Sequence, residues 1–320
     1  LFYKKGVMGM KINGVFAVPA VFAFLLFSSC ATTNNESMPA NPNSYAVVIG
    51  IENYRDIPKV DYAANDARVV YESLTRQMGY PEENVLVLIN DKATRTDIDK
   101  ALGRWLQNQA DEKSRIFIFY AGHGAPNSKG ESFIVPFDGD PSYIETTGYS
   151  LKLLKDNLSL LPTDNIVVAI DSCFSGVGGR SVLAKGSRPL LITEENPLSK
   201  QGKAVVFSAT QNNQISTSFP SVEHGLFTYF FLKGLNGEAD TNNDGAVDVA
   251  ELFNYLKPKV SKQAKRQNVE QVPELYPASE LIGAKAKVRL ISNIQMVPKI
   301  VIEGSRETGK KEPKLPAPGF

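Results

Sequence analysis

Cysteine and histidine are scarce in this chain, with two of each among 320 residues, and there is a single tryptophan. So little cysteine excludes a multi-bridge disulfide framework as the source of stability. Neither sign of charge dominates: 35 Lys and Arg stand against 34 Asp and Glu, a formal net charge of +1. A nucleic-acid partner is therefore not suggested, because no single-sign field is available to attract a polyanion. There is no internal repeat and no heptad pattern. What remains is ordinary globular composition, 42% hydrophobic and 22% charged, enough for one large core or two modest ones.

The N-terminus departs from that composition. Lys4, Lys5 and Lys11 precede an apolar run from Ile12 to Phe27, interrupted by Pro19, and then "LLFSSC". The run is short for a membrane span but suits the hydrophobic region of a secretory signal. Small residues Ser28 and Ser29 before Cys30 resemble the lipobox of bacterial lipoproteins, although Phe27 stands where Leu is usual. The resemblance implies a signal peptide over 1–30, acylation of Cys30, a flexible linker over 31–44 and attachment to a membrane of the bacterial cell envelope. A plain signal peptide cleaved nearby is the alternative. If Cys30 carries lipid, the exported protein keeps a lone thiol, Cys173, in a compartment that oxidises thiols. That thiol is then either buried and inert or chemically needed.

Beyond the linker come short runs rich in Val, Ile and Phe: "YAVVIGI" from Tyr45, "NVLVLI" from Asn84, "RIFIFY" from Arg115, "NIVVAI" from Asn165 and "AVVFSA" from Ala204. They read as strands buried on both faces. Helical patterns over Ala63 to Met78 and Thr96 to Gln109 alternate with the first three. That alternation predicts an α/β fold with a mainly parallel central sheet and helices on both faces. Function in such sheets gathers past the carboxyl ends of strands. There "RIFIFY" gives way to "AGHGAP" and "NIVVAI" to "DSCFSG", so His123 and Cys173 are expected on one rim. An imidazole can take the thiol proton and later return one to a leaving group. The amides of Gly124 and Cys173 are candidates to hold a developing oxyanion.

"YAGHGAP" and "AIDSCFSG", with 50 residues from His123 to Cys173, resemble the His and Cys motifs of caspase-like cysteine peptidases, in particular their bacterial and metacaspase branch, and caspases share that spacing. "VIGIENYRDIP", "AANDARVVYESL", "FSATQNNQIS", "HGLFTYFFLKGL" and "QVPELYP" extend the resemblance over about residues 45–277. It implies a caspase-like three-layer sandwich and a Cys173–His123 dyad. By motif it also implies a pocket for the residue before the cut bond lined by Asp66 and Asp171. Paired carboxylates favour a cation, with bidentate arginine gaining most, so protein substrates cut after Arg or Lys are expected. The structural alternatives are an exposed helix position for Asp66 and a turn cap for Asp171. His224, just before an aromatic-rich helix, reads as an unremarkable polar residue near a helix start.

A second constellation is independent of the first. "DTNNDGAVDVAE", Asp240 to Glu251, fits a twelve-residue EF-hand calcium loop. Asp240, Asn242, Asp244, Asp248 and Glu251 supply side chains, Ala246 a carbonyl, and Gly245 the turn. The expected cofactor is Ca²⁺, with no organic cofactor; a solvated acidic loop capping the next helix is the alternative. Between the thiol and the next strand, a Gly- and Pro-bearing stretch offers Arg180, Lys185, Arg188, Lys200 and Lys203 as self-cleavage points. Residues 278–320 form an extension in which "AKAKVRLIS" and "MVPKIVIEG" suggest a hairpin ahead of a polar tail. Three classes of function remain: a cysteine endopeptidase, a silent caspase-like scaffold, and a thiol-redox or acyl-transfer protein. The last is disfavoured by the want of a resolving cysteine.

Overall fold

The computed structural model describes residues 40–174, 180, 182, 197–199, 202–211, 214–277, 283–302 and 315. The signal segment with Cys30, most of the 31–44 linker, Lys185, Arg188, Lys200 and nearly all of the tail lie outside them. No helix of the described residues is long and apolar enough to cross a membrane.

The apolar runs form the strands. β1 (Ser44–Gly50), β2 (Val85–Ile89), β3 (Arg115–Ala121), β7 (Ile166–Asp171) and β8 (Ala204–Ser208) pair in parallel in the order β8-β7-β3-β1-β2. A sixth strand, β12 (Glu274–Tyr276), closes the β8 edge antiparallel. Alternate side chains leave opposite faces of each strand. Ala46 and Val48 enter a core shared with α1 (Ala63–Arg76), α6 (Leu226–Lys233) and α7 (Val249–Arg266), while Val47 and Ile49 enter another. That second core takes in α2 (Arg95–Lys100), α3 (Leu106–Gln109), which continues α2 through a wide turn, and α5 (Leu151–Ser159). Each fully buried aliphatic or aromatic side chain is worth roughly 1.5–3 kcal/mol, so two filled faces fix the register of the central strands. The result is the three-layer sandwich with a mainly parallel sheet.

Smaller elements flank the sheet, the first two groups at its carboxyl end. β4 (Gly124–Pro126), β5 (Ser132–Ile134) and β6 (Tyr149–Ser150) form a three-stranded sheet beside the short α4 (Ile144–Thr147). β9 (Ser218–Phe219) pairs with β10 (His224–Gly225) ahead of α6. β11 (Ala246–Asp248) pairs with β13 (Arg289–Ser292).

That last pairing changes the reading of the C-terminal extension. β13 joins the 240–251 loop instead of a hairpin partner, and residues 298–302 are not a strand. Leu290, Ile291, Ile300 and Ile302 are buried in the core with α6 and α7. Asn236 bonds the backbone of Ile300 in both directions, and Gln77 donates to the Pro298 carbonyl. Residues 289–302 therefore pack on the domain that precedes them.

Candidate active site

β3 and β7 are adjacent and parallel, and Ala121 is in register with Asp171. His123 and Cys173 each lie two residues beyond that shared rung, on the same rim. The two loops touch: a side chain on Gly124 would meet the Cys173 carbonyl oxygen at 2.4 Å. Cys173 is fully buried and its Sγ–H donates to the Gln214 carbonyl at 2.7 Å.

His123 is oriented by its surroundings. Nε2 lies 2.8 Å from the Pro58 carbonyl, an acceptor, so Nε2 carries the proton and Nδ1 presents its lone pair. Nδ1 is buried and has no hydrogen-bond partner among the described residues. The Tyr54 ring lies against the imidazole at a tilt, with centroids 4.9 Å apart, and its hydroxyl accepts from the His123 amide at 2.6 Å. A neutral imidazole with a free buried lone pair is a base awaiting a proton.

Burial pushes the His123 pKa from 6.5 down to about 4, against the pull of the Pro58 carbonyl. The unfolded chain thus takes up a proton between those values that the folded chain refuses. Stability from this group is complete above pH 6.5 and is lost as pH falls through 4, by up to about 3 kcal/mol. In chemical denaturation, wild type is expected to weaken more steeply than His123→Phe between pH 7 and pH 4. Equal slopes would mean that the imidazole is not held neutral.

Beside this pair lies a buried ionic cluster. Asp66, in the first turn of α1, and Asp171, at the end of β7, are both fully buried. The chain's own Arg180, 2% exposed, lies between them. Its guanidinium meets Asp66 at 3.1 Å and Asp171 at 3.3 Å, and also donates to the Asp171 and Asp61 carbonyls. Asp66 is not an exposed helix residue, and Asp171 is not a simple turn cap. Gly225 leaves room for the cluster, because a Cβ there would lie 2.3 Å from Asp171 and 2.5 Å from Arg180.

The backbone of Arg180 completes the arrangement. The amides of Gly124 and Cys173, the two candidates for an oxyanion site, both donate to the Arg180 carbonyl, at 3.1 and 3.3 Å. Arg180 thus meets both carboxylates with its side chain and both amides with its carbonyl.

Four contributors escaped sequence reasoning. His224 donates Nδ1–H to Asp66 at 2.7 Å, and the Gly225 amide bonds both Asp66 oxygens. Thr228 and Ser216 donate hydroxyl protons to Asp171 at 2.6 and 2.7 Å. The available signal was "HGLFT", a polar residue and a glycine opening an otherwise apolar helix, where backbone amides and the positive helix end favour carboxylates. Of the other cleavage points, Lys203 precedes β8 and so lies at the opposite end of the sheet, its Nζ bonded to the Leu161 carbonyl.

The caspase domain model matches residues 43–280. The chain belongs to the caspase-domain peptidase family. Among curated relatives, a probable protease of a Desulfuromonadales bacterium is 24% identical over 76% of this chain and 32% of its own length. Metacaspase-1 of Eremothecium gossypii is 26% identical over 42% of this chain and 32% of its own. Metacaspase-4 of Arabidopsis thaliana is 30% identical over 41% of this chain and 33% of its own. The chain spans about a third of the length of the curated relatives it matches. A Geobacter sulfurreducens protein of known crystal structure shares the fold, with a TM-score of 0.55 at 16% identity, over 82% of this chain and all of its own. At family level the matched domain is that of cysteine peptidases.

Away from the rim of the caspase domain, the 240–251 loop joins the end of α6 to α7. Gly245 has φ +78, a left-handed turn that suits glycine, and its amide bonds Asp240 at 3.1 Å. Asp244 accepts from the Ala246 amide, and Asn242 from the Asp244 amide. Asp248 and Glu251 form a reciprocal cap at the start of α7. Asn242, Asp244, Ala246, Asp248 and Glu251 line a shared surface cavity with Lys287 and Arg289. Among the described residues no three acidic, His or Cys side chains converge as a ready metal cage. The donor set is nonetheless all oxygen, as a hard cation requires. Glu251 would have to turn from the Asp248 amide to join it.

Proposed function

We propose that this chain is an endopeptidase that cuts after arginine, and less readily after lysine, and that it is latent until its own Arg180 leaves the site. The observation that carries this reading is the double placement of Arg180, guanidinium between Asp66 and Asp171 and carbonyl on the amides of Gly124 and Cys173. A structural counter-ion would need only the first.

In the proposed mechanism the thiol turns from Gln214 and gives its proton to His123 Nδ1. The thiolate attacks the carbonyl carbon of the arginine, and the resulting oxyanion is held by the Gly124 and Cys173 amides. The C–N bond breaks as His123 returns the proton to the leaving amine. Water then hydrolyses the thioester, with His123 as base. When Arg180 is itself the occupant, the same steps cut the chain after Arg180, which makes self-processing a property of the latent form.

Calcium enters the same reading through residues 240–251. Asp240, Asn242, Asp244, Asp248 and Glu251 would hold it with the Ala246 carbonyl, supplying charge balance and order to an acidic loop. α6 runs from the pocket, through Gly225 and Thr228, toward this loop, so ordering the loop would steady the pocket wall. As a lipoprotein acylated on Cys30, the enzyme would act at a membrane of the bacterial cell envelope.

The test is a soluble form beginning after Cys30, assayed on peptides with Arg, Lys or Asp before a reporter, with Ca²⁺ or chelator, beside Cys173→Ala. Cleavage after Arg that disappears in Cys173→Ala is the expected result. Cleavage of none of the peptides, in reductant and Ca²⁺, would move the reading to a silent caspase-like scaffold. Ca²⁺ should also raise the melting temperature of Cys173→Ala, and no shift at millimolar Ca²⁺ would remove the metal from the account.

A further inference from the structure

We infer that the domain carries a second specificity subsite, an apolar pocket for the residue two places after the cut bond, which favours an aliphatic side chain such as valine or isoleucine. The inference rests on the reading of Arg180 as a substrate-like occupant of the primary pocket.

If Arg180 stands where a substrate arginine stands, Val182 stands where the second residue beyond the cut stands. Its surroundings are well defined. The Val182 amide donates to the Gly124 carbonyl at 3.1 Å, while the Gly124 amide donates to the Arg180 carbonyl at 3.1 Å. This pair of bonds runs the chain alongside β4 in the parallel sense. β4 is an edge of its three-stranded sheet, so the occupant adds to an edge strand. In that mode main-chain bonds supply affinity and side-chain pockets supply choice.

The pocket is apolar. Val182, half-buried, packs against a cluster built from Ala125, Phe133, Val135 and Ile144, each at most 5% exposed, with Tyr54 and Ile57 at its margin. β4, β5 with the residue that follows it, and α4 supply these residues, so the cluster belongs to the domain whether or not Val182 occupies it. Tyr54 also packs against the His123 ring, which couples filling of this pocket to the position of the base. An aliphatic side chain there leaves water, whereas a carboxylate would be set against hydrocarbon without a partner.

The experiment uses internally quenched peptides with the core Arg-Ser-X, where X is Val, Ile, Gly, Asp or Lys, and a reporter amide that ends in arginine with only the fluorophore beyond it. The expected result is a kcat/KM about tenfold or more higher for X = Val or Ile than for Asp, with Gly between. Ile57→Asp, at the margin of the pocket, should reverse the ratio between X = Val and X = Lys. Because that ratio is taken within one preparation, partial misfolding of the variant does not alter it. If the reporter amide is cut while all X give kcat/KM within twofold, the subsite is wrong and the primary reading stands. If neither the amide nor any peptide is cut, both fall together.

Discussion

Replacing Asp171 or Asp66 by asparagine is expected to lower kcat/KM for an arginyl peptide about a hundredfold or more. The two changes together should leave no measurable preference for arginine. The magnitude comes from burial. Both carboxylates are fully shielded from water, and removing one partner of a buried ion pair costs roughly 3–5 kcal/mol, with 1.4 kcal/mol per tenfold. Geometry selects arginine over lysine. The guanidinium spans Asp66 at 3.1 Å and Asp171 at 3.3 Å while also reaching the Asp171 and Asp61 carbonyls. A lysine ammonium is a point charge that cannot meet both carboxylates with the same directionality, so a ratio of about tenfold is expected. Burial holds the Asp171 carboxyl above the ordinary carboxylate range even with Arg180 beside it. An arriving cation therefore finds a site that gains from neutralisation. Steady-state kinetics on matched Arg and Lys peptides checks each step, and unchanged Arg cleavage in Asp171→Asn would remove the carboxylate pair from substrate recognition.

Much of this site was legible because its parts sit at strand ends. The runs "RIFIFY" and "NIVVAI" carry their own strand signal, and parallel pairing brings the residues just past their carboxyl ends to one rim. His123 and Cys173 needed only that inference, whereas the pocket role of Asp171 came from the family motif. Asp66 needed the family motif, because nothing in "AANDARVV" distinguishes a buried acid from an exposed one on a helix. Its partners were out of reach. His224 lies 158 residues away along the chain and Arg180 lies 114 away, so their contacts depend on how α6 and the segment after β7 return to the rim. β12 was missed for a different reason. Three residues with one buried side chain, Leu275, give no periodicity, and the strand exists because β8 offers an unpaired edge. β13 shows the reverse case, in which the sequence signal for a strand was sound but its partner was the calcium-type loop and not the next apolar run.

Arg180→Gln is expected to move activity and stability in opposite directions, and that divergence separates a tethered occupant from a structural ion. As an occupant, Arg180 competes with substrate at the effective concentration of a short tether, on the order of millimolar. Against micromolar peptide, its removal should raise the activity of the uncut chain roughly 10- to 100-fold. As a counter-ion, it balances two buried carboxylates, and its loss leaves them facing each other. Asp171, already disposed to hold a proton, can relieve part of that charge. The remaining cost is about 2–4 kcal/mol, or roughly 5–10 °C in melting temperature for a domain of this size. Wild type should accumulate a fragment ending at Arg180, whereas Cys173→Ala and Arg180→Gln should stay whole at that bond. Once cut, Arg180 lies at a chain end close to Cys173, held by its ion pairs but no longer by a continuous backbone through the site, and substrate can displace it. If Arg180→Gln lowers activity and stability together and wild type remains one intact band, Arg180 is a fixed part of the pocket, and the acidic pair does not read the substrate at all.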